Sequence, residues 1–479
     1  MKDLADKCYI DGKWTESVTK EKFTIFNPAS GEAIAEVAKA VAADTNRAIA
    51  AAAKAFPSWS AKLPKERSKI IYKLAELVTK HQEELAQIMV LENGKSINEA
   101  RAEITYSLGF VEWFAEEAKR IYGEVVPSVK AGQRLFTIRQ PVGVAVAITP
   151  WNFPLAMIVR KALPALAAGC CIVVKPSEET PLTALAFTKL VESAGVPPGV
   201  FNVLCGDAPA IGDAMTASTT VRMLSFTGST RVGKLLMGKA ANTVKKVALE
   251  LGGNAPFIVF EDADLESAVA GVVASKLRNG GQSCICTNRI YVHESIADRF
   301  VEKLKGEFAN IKIGDGADAN NQLGPLINKA AVKKISDLIE DAKLNGADIV
   351  YAADISDSKY SKGCYVAPTI VLNHSANTLI ESTEIFGPIA SVFTFKNEEE
   401  VIKRANNTNY GLASYFYTKD KDRIWRVSEA LEYGMVAVND VMLSSEMTSF
   451  GGVKESGIGR EGGRHGINEF LEEKFIAIS

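Results

Sequence analysis

The spacing of hydrophobic residues predicts a chain in which helices and buried strands alternate along most of its length. Apolar residues recur at helical intervals in three segments near the N-terminus, Ala43–Trp59, Lys65–Glu92 and Asn98–Tyr122. From Val142, short apolar runs that predict strands alternate with amphipathic segments that predict helices, and a second such series begins near Ile258. Strand–helix repeats of this kind favour a parallel, doubly wound α/β sheet.

One loop of the second series carries a cysteine in an accessible setting. The segment Asp264–Arg278 predicts an amphipathic helix, and Arg289–His293 predicts a strand. Cys284 therefore falls on the short loop between them, where catalytic residues tend to lie. An unselected cysteine is more often a small buried hydrophobe, and we expect that of Cys170 and Cys171.

A carboxylate and an amide complete a candidate catalytic set. Glu250 directly precedes Leu-Gly-Gly, and Asn152 lies in the rigid turn Thr149-Pro-Trp-Asn-Phe-Pro. Together with the Cys284 thiol, these groups suggest acyl chemistry, with the carboxylate as base. The chain has only four histidines, and none shows the spacing of a metal site, so we predict no bound metal and favour Glu250 over a histidine as the base.

Composition excludes several classes of protein. The 55 Lys and Arg nearly balance the 57 Asp and Glu, which argues against a nucleic-acid or polyanion partner. No apolar run approaches the length of a membrane span, and the N-terminal residues lack the apolar region of a secretory signal. Seven cysteines without framework spacing favour reduced thiols, so we expect a cytoplasmic protein.

The sequence offers two glycine-rich candidates for a cofactor loop. The segment Gly457-Ile-Gly-Arg-Glu-Gly462 matches a dinucleotide fingerprint but lies too near the C-terminus for the strand–helix–strand unit that the fingerprint needs. The segment Ser225–Leu235 follows a predicted strand and opens a helix, so its backbone N–H groups either face a pyrophosphate or form a plain tight turn. Lys175 and Glu178, at the end of another strand, could hydrogen-bond ribose hydroxyls.

Taken in order, the motifs of the chain resemble those of the aldehyde dehydrogenase superfamily. The similarity covers nearly the whole chain and rests on six motifs: Thr149-Pro-Trp-Asn-Phe-Pro, Lys175-Pro-Ser-Glu, Phe226-Thr-Gly-Ser-Thr, Leu249-Glu-Leu-Gly-Gly-Asn, Gly281-Gln-Ser-Cys and Glu384-Ile-Phe-Gly-Pro. The resemblance implies a nicotinamide-dependent oxidation of an aldehyde to a carboxylate. It also implies a homodimer or homotetramer.

The resemblance further implies an α/β fold of three parts. These are a Rossmann-type, doubly wound NAD(P)-binding domain, an α/β catalytic domain and a small β oligomerisation element. The corresponding residues are 1–120 and 142–252, 253–450, and 121–141 with 451–479.

Each motif residue takes a role from the family. The Cys284 thiolate attacks the aldehyde, Asn152 and the Cys284 N–H hold the oxyanion, and Glu250 activates the water that hydrolyses the thioester. Lys161 resembles a proton-relay lysine, although it could also be a solvated helix lysine. The cofactor residues implied are Thr149, Trp151, Lys175, Ser177, Glu178, Gly228, Ser229, Gly233, Glu384 and Phe386.

The carboxylate of Glu178 bears on the choice between NAD and NADP. Glu178 would accept hydrogen bonds from an adenosine ribose and would repel a 2′-phosphate. We therefore expect NAD to be preferred, with NADP possible because Lys175 can compensate.

Within the superfamily the chain is most similar to succinate-semialdehyde dehydrogenases. Arg160 and Arg278 lie in segments that resemble those supplying two arginines to the substrate carboxylate, and the segment Leu443-Ser-Ser-Glu resembles the loop that adds a serine, which makes Ser444 and Ser445 candidates. The alternative is that both arginines bind acidic residues of the fold. Cys286 resembles the second thiol of a Cys-x-Cys redox switch, or is merely another loop thiol.

Two departures from the subfamily leave other substrates open. Leu277 stands where phenylalanine is expected, and Thr448-Ser-Phe450 replaces the usual Ala/Cys-Pro-Phe. Glutarate semialdehyde, lactaldehyde and glycolaldehyde therefore remain alternatives. A non-catalytic use of the fold is disfavoured because Cys284, Glu250 and Asn152 are all present.

Overall fold

The computed structural model describes residues 6–373 and 378–479, which form fourteen α-helices around two large sheets. The helices of these residues are α1 (Ala42–Ser60), α2 (Pro64–Lys80), α3 (Gln82–Asn93), α4 (Ile97–Glu117), α5 (Ala156–Ala168), α6 (Pro181–Ala194), α7 (Ala208–Ala217), α8 (Thr230–Ala240), α9 (Leu265–Leu277), α10 (Ala297–Ala309), α11 (Lys329–Leu344), α12 (Leu379–Ser382), α13 (Glu398–Asn406) and α14 (Lys421–Ala430). Within these described ranges, no helix is both long and apolar enough to cross a membrane.

The strands follow in chain order and include several short edge pieces. They are β1 (Cys8–Ile10), β2 (Lys13–Thr15), β3 (Lys22–Phe26), β4 (Ala33–Ala38), β5 (Val125–Val126), β6 (Arg134–Pro141), β7 (Val144–Ile148), β8 (Cys171–Lys175), β9 (Phe201–Val203), β10 (Val221–Thr227), β11 (Lys246–Glu250), β12 (Ala255–Val259), β13 (Thr287–His293), β14 (Asp348–Ala352), β15 (Thr369–Leu372), β16 (Ile389–Phe395), β17 (Ala413–Tyr417), β18 (Met435–Val438), β19 (Gly457–Ile458) and β20 (Leu471–Ile478).

The first large sheet confirms the predicted Rossmann-type architecture. Its order is β19-β11-β10-β7-β8-β9-β1-β2, and the five strands from β11 to β9 are parallel to one another. At the two ends of the sheet, β19 pairs antiparallel with β11, β1 with β9, and β2 with β1. Every residue of β8 is buried, as expected of a parallel strand covered on both faces. The carboxyl ends of β7, β10 and β11 therefore meet at one edge, where open α/β sheets bind ligands.

The second large sheet is also mainly parallel. Its order is β14-β15-β16-β13-β12-β17-β18, and only β14 is antiparallel to its neighbour. A third sheet, β20-β6-β5, joins residues 125–141 to the C-terminal strand. The short strand β19 instead joins the first sheet, and the division of the chain into three domains stays a prediction.

The helix predicted over Lys65–Glu92 is wrong in one respect, because the segment forms two helices, α2 and α3. At His81 the backbone leaves the helical region, with φ −104° and ψ 18°. The N–H of His81 still donates to Leu77 O, and its carbonyl accepts from Leu85 N, so the break leaves neither group without a partner. The third predicted helix ends at Glu117 rather than at Tyr122.

Candidate active site

A cavity of about 320 Å³ opens where the loops after β7, β10 and β11 face the loop between α9 and β13. Ten of the predicted site residues line it: Trp151, Asn152, Arg160, Gly228, Ser229, Arg278, Cys284, Glu384, Phe386 and Ser444. Nine predicted residues lie outside its wall: Thr149, Lys161, Lys175, Ser177, Glu178, Gly233, Glu250, Ser445 and Cys286. The structure thus brings the thiol, the amide and both arginines to one space.

The Cys284 loop is tightly folded at its start. Helix α9 begins with Asp264 as N-cap and ends at Leu277, after which Asn279, Gly280 and Gly281 all take positive φ. A Cβ on Gly281 would lie 2.3 Å from Gly387 O, so this turn requires glycine. The turn leaves Cys284 half-buried at the cavity wall.

The Cys284 thiol is protonated at neutral pH in this arrangement. Burial raises its pKa to about 12, and the carboxylates of Glu384 and Glu250 add to the increase, whereas Arg160 opposes it. The thiolate is the nucleophile, so attack on an aldehyde needs a group that removes this proton.

Glu250, the last residue of β11, lies behind the cavity wall. Burial raises the pKa of its carboxyl well above the usual value, and the neighbouring Glu461 raises it further. Its Oε2 has no hydrogen-bond partner in the part of the chain that the structure describes. Action on a water at Cys284 therefore requires the side chain to turn toward the cavity.

A buried charge cluster lies beside Glu250 and centres on Glu461, which the sequence analysis did not single out. Lys161 forms an ion pair with Glu461 and a hydrogen bond to Thr227. Arg160 Nε lies 2.8 Å from Glu461 Oε2, which makes an ion pair although the N–H direction misses hydrogen-bond geometry. Despite burial, Lys161 and Arg160 hold the pKa of Glu461 below its usual value. Lys161 is thus fully buried rather than solvated.

The Asn152 side chain is fixed by two hydrogen bonds. Its Oδ1 accepts from Phe153 N at 3.1 Å, and its Nδ2 donates to Gln282 O at 3.0 Å. The amide carries a second N–H, and the residue lines the cavity with Cys284. The arrangement can hold an oxyanion that forms at Cys284.

The two arginines reach the cavity differently. The Arg160 guanidinium is buried and lies 4.0 Å from the ring centroid of Phe450, while the exposed Arg278 lies 5.1 Å from that of Phe153. Arg160 Nη1 also donates to the Tyr106 hydroxyl at 3.4 Å, and Tyr106 shares a hydrogen bond with Ser444.

The alternative prediction, in which both arginines bind acidic residues of the fold, holds within the described residues for Arg160 and not for Arg278. Glu461 partners Arg160, whereas no carboxylate of residues 6–373 and 378–479 forms an ion pair with Arg278. Ser445 is outside the wall, where its hydroxyl donates to Glu446 at 3.3 Å.

The helix end and strand end assigned to the cofactor have the expected local structure. Ser229 is the N-cap of α8 and accepts from Val232 N at 3.4 Å, which leaves the helix start facing the cavity. A Cβ on Gly233 would lie 2.3 Å from the Leu251 side chain, so α8 packs closely on the end of β11. Lys175 and Glu178 form an ion pair with each other just beyond β8.

Two further cofactor candidates, Glu384 and Phe386, also line the cavity. Burial raises the pKa of Glu384 to about 7, and its Oε1 accepts from Gly253 N at 2.9 Å. Phe386 has a φ of 57° and packs edge to face on Trp151, with ring centroids 5.6 Å apart. A helix N-terminus, a buried carboxylate and two aromatic rings around one space fit a dinucleotide.

Cys286 follows Cys284 by two residues and contacts carbonyl groups. Its Sγ is 3.4 Å from Thr287 O and 3.7 Å from Lys276 O, and burial raises the pKa of its thiol. It lines a second cavity of about 180 Å³ together with Arg278 and Ser283. All seven cysteines are free in this structure, so the redox switch stays a prediction.

Several residues of the site carried no signal in the sequence. Tyr106 and Lys334 line the cavity, and neither lies in a motif that predicts such a position. Phe153 and Phe450 also line it, and they belong to segments with a family resemblance but were given no role. Glu461 lies in the glycine-rich segment 457–462, which the sequence pattern excludes as a cofactor loop and for which it predicts no other role. Within the described residues, no cluster of His, Cys, Asp and Glu has the geometry of a metal site.

Several known proteins are similar to this chain over nearly its whole length. A family model described as "Aldehyde dehydrogenase family" matches residues 14–476. The chain is 50% identical to the Escherichia coli (strain K12) succinate-semialdehyde dehydrogenase [NADP(+)] GabD, over 98% of this chain and 97% of that protein. It is 49% identical to a glutarate-semialdehyde dehydrogenase of Pseudomonas putida, over 99% and 98%.

The same similarity holds for solved structures. A crystal structure of succinate-semialdehyde dehydrogenase from Burkholderia pseudomallei matches with a TM-score of 0.98 and 48% identity, covering 100% of this chain and 99% of that one. The chain therefore belongs to the aldehyde dehydrogenase family, whose members are oxidoreductases that act on aldehydes and use NAD(P).

Proposed function

We propose that the protein oxidises succinate semialdehyde to succinate. The observation that carries this proposal is that Arg160, Arg278 and Ser444 line the same cavity as Cys284. Two guanidinium groups in one pocket suit a carboxylate at the far end of a small aldehyde. A relative and a solved structure that are both about half identical to this chain carry the name succinate-semialdehyde dehydrogenase.

The chemistry begins at the thiol and its oxyanion donors. The Cys284 thiol first loses its proton to water in the cavity, and the resulting thiolate adds to the aldehyde carbon. The Asn152 amide together with the Cys284 N–H holds the oxyanion of the thiohemiacetal. When bound, NAD(P) would supply the hydride acceptor that oxidises this adduct to the thioester. Glu250 then turns toward the cavity and takes a proton from the water that hydrolyses the thioester, for which its raised pKa suits it.

Lys161 and Glu461 are proposed to pass that proton onward. They form a buried ion pair beside Glu250, and Lys161 also contacts Thr227, which lines the cavity. The cluster therefore connects the base with the cavity through groups that can each hold a proton.

For the cofactor, we propose that NAD is preferred. The Glu178 carboxylate stands at the carboxyl end of β8, where it would accept from ribose hydroxyls and repel a 2′-phosphate. Lys175 neutralises part of that charge, which is the route by which NADP binding can persist. The name of the Escherichia coli relative specifies NADP(+), so the NAD preference proposed here rests on Glu178 of this chain and not on that relative.

We also propose a homodimer or homotetramer, in the cytoplasm. Val125, Phe475 and Ile478 are exposed on the three-stranded sheet β20-β6-β5, and a second copy that covers this sheet would bury them. Light scattering of the purified protein measures the assembly directly.

A second candidate substrate is glutarate semialdehyde, because a relative of that name is 49% identical to this chain. It differs by one methylene, which a hydrophobic pocket discriminates by roughly 10- to 200-fold. The deciding experiment is kcat/KM on succinate semialdehyde, glutarate semialdehyde, lactaldehyde, glycolaldehyde and butanal, each with NAD and with NADP. The highest value for a neutral aldehyde would overturn the proposal, and the highest value for glutarate semialdehyde would replace the substrate.

A further inference from the structure

Three charged side chains at the start of α4 lie beneath the Asn152 turn. Lys95 lies just before Ser96, the N-cap of the helix, and Glu99 and Glu103 lie in its first two turns. We call these three residues the brace. None of them lines the cavity or contacts the space in which an aldehyde would react.

Lys95 and Glu103 connect the Asn152 turn to the helix that follows it. The Lys95 side chain is fully buried, and its Nζ lies 2.5 Å from Glu103 Oε2 and 2.8 Å from Asn152 O. The other oxygen of Glu103 accepts from the backbone N–H groups of Leu155, at 2.9 Å, and Ala156, at 3.2 Å. These N–H groups begin α5, whose N-cap residue offers no side-chain acceptor, so Glu103 supplies the missing cap.

Glu99 connects the same helix to the catalytic loop. Its Oε1 accepts from Asn279 N at 2.6 Å. The Asn279 side chain in turn donates to Asn152 O at 2.8 Å, which is the same carbonyl that Lys95 contacts. The Asn152 amide completes the connection by donating to Gln282 O, two residues before Cys284.

We propose that Lys95, Glu99 and Glu103 are positioning residues that set the separation between the Asn152 amide and the Cys284 sulfur. The first turns of α4 contact both the turn that carries the Asn152 amide and the loop that carries the Cys284 thiol. Glu103 also fixes the start of α5, the helix that carries Arg160 and Lys161. The inference rests on the proposed roles of Cys284 and Asn152, and not on which aldehyde is the substrate.

The energetics favour positioning over a purely structural role. Lys95 and Glu103 are each almost fully buried, a placement that is seldom more stable than a packed apolar pair. What an ion pair adds is direction, because each charge holds specific backbone groups at hydrogen-bond distance. An oxyanion donor must lie at about 2.7 to 3.1 Å from the oxygen that it stabilises. A displacement of about 1 Å can reduce the rate about 100-fold.

A double-mutant cycle between Lys95 and Asn152 tests this. The measured quantity is the rate constant for reduced cofactor in the first turnover, which reports formation and oxidation of the Cys284 adduct. We expect Lys95→Met to lower it about 10- to 100-fold when Asn152 is present. In the Asn152→Ala background the same change should cost less than about threefold, because the group it positions is gone.

Further variants keep the test decisive. Lys95→Arg should restore most of the rate, since it keeps a cation beside Glu103. Glu99→Ala leaves no buried charge unpaired. If Lys95→Met does not fold, a double-mutant cycle of Glu99→Ala with Asn152→Ala tests the positioning role instead. Lys119→Met and Glu112→Ala, at exposed positions near the other end of α4, are matched controls and should change nothing.

The possible outcomes separate two failures. Equal losses of first-turnover rate in the wild-type and Asn152→Ala backgrounds would mean that Lys95 acts independently of Asn152. That result would overturn the positioning role of the brace and leave the proposed roles of Cys284 and Asn152 intact. A full first-turnover rate in Asn152→Ala by itself would instead overturn the proposed role of Asn152. In the supporting result the dissociation constant of the cofactor stays at the wild-type value while the first-turnover rate falls.

Discussion

Removal of the Arg160 guanidinium is the most discriminating perturbation of the proposed site. Arg160 is 4% exposed and is held between Glu461 and the Phe450 ring. In Arg160→Ala, Glu461 keeps its ion pair with Lys161, so no buried carboxylate is left without a cation. The variant should therefore fold, and its kinetics should report the substrate contact.

The size of the effect follows from what remains in the pocket. Truncating one partner of a buried charge pair costs about 2 to 5 kcal/mol. Arg278 and Ser444 still line the cavity in the variant, so we expect the lower part of that range, about 2 to 3 kcal/mol. At 1.36 kcal/mol per tenfold change, this is roughly a 30- to 150-fold loss in kcat/KM for succinate semialdehyde. Arg278→Ala should cost less, because its guanidinium is exposed to solvent.

The assay must separate the substrate contact from a general effect. Arg160 also favours the Cys284 thiolate, so its loss slows every aldehyde to some degree. The informative quantity is therefore the ratio of kcat/KM for succinate semialdehyde to that for butanal, in wild type, Arg160→Ala and the exposed control Arg299→Ala. A ratio that stays the same in Arg160→Ala would refute the carboxylate clamp and leave a general aldehyde dehydrogenase.

Four further predictions concern the thiol, the base and the cofactor. Cys284→Ala should abolish turnover while titrations still show cofactor binding; measurable turnover would exclude the thiol as nucleophile. Glu250→Gln should give a burst of reduced cofactor and then deacylation slower by about 10²- to 10⁴-fold. Since only the carboxylate acts as base, wild-type deacylation should fall as pH drops through the raised pKa of Glu250, and the variant should lack that limb. Glu178→Gln should raise the ratio of kcat/KM with NADP to that with NAD, and an unchanged ratio would show that Glu178 does not face the ribose. Burial raises the pKa of Glu384 from 4.5 to about 7, so the folded state binds the extra proton and loses stability as pH rises through this window. Glu384→Gln should therefore raise Tm relative to wild type more at about pH 8 than at about pH 5; equal shifts would contradict this.

Features that depend on neighbours along the chain could be predicted from the sequence. The helix expected over Asp264–Arg278 is α9, and Asp264 caps it by accepting from Ser267 N at 3.0 Å. Capping and amphipathic spacing are local, so they survive in the folded protein. The strand expected over Arg289–His293 is contained in β13 for the same reason.

Contacts between distant segments could not be predicted in this way. Glu461 partners Lys161 across 300 residues, and Lys95 reaches Asn152 across 57. Neither carries a local pattern that distinguishes it from a solvated charge. The helical pattern over Lys65–Glu92 continues past His81 because the apolar spacing does, although the run that ends at Lys80 makes His81 a candidate helix end. The backbone angles show that two helices meet there.

The place of Glu461 in the chain has a consequence for biosynthesis. A polypeptide is made from its N-terminus, and its early segments fold first. Cys284, Arg160 and Lys161 are complete long before Glu461, and β19, which pairs with the strand that ends in Glu250, is made equally late. A ribosome-bound chain thus contains Cys284 before it contains Glu461, the anion that pairs with the buried cations of Arg160 and Lys161. We therefore expect aldehyde turnover to begin only when the polypeptide is almost finished, and a chain released without Glu461 and β19 to be inactive.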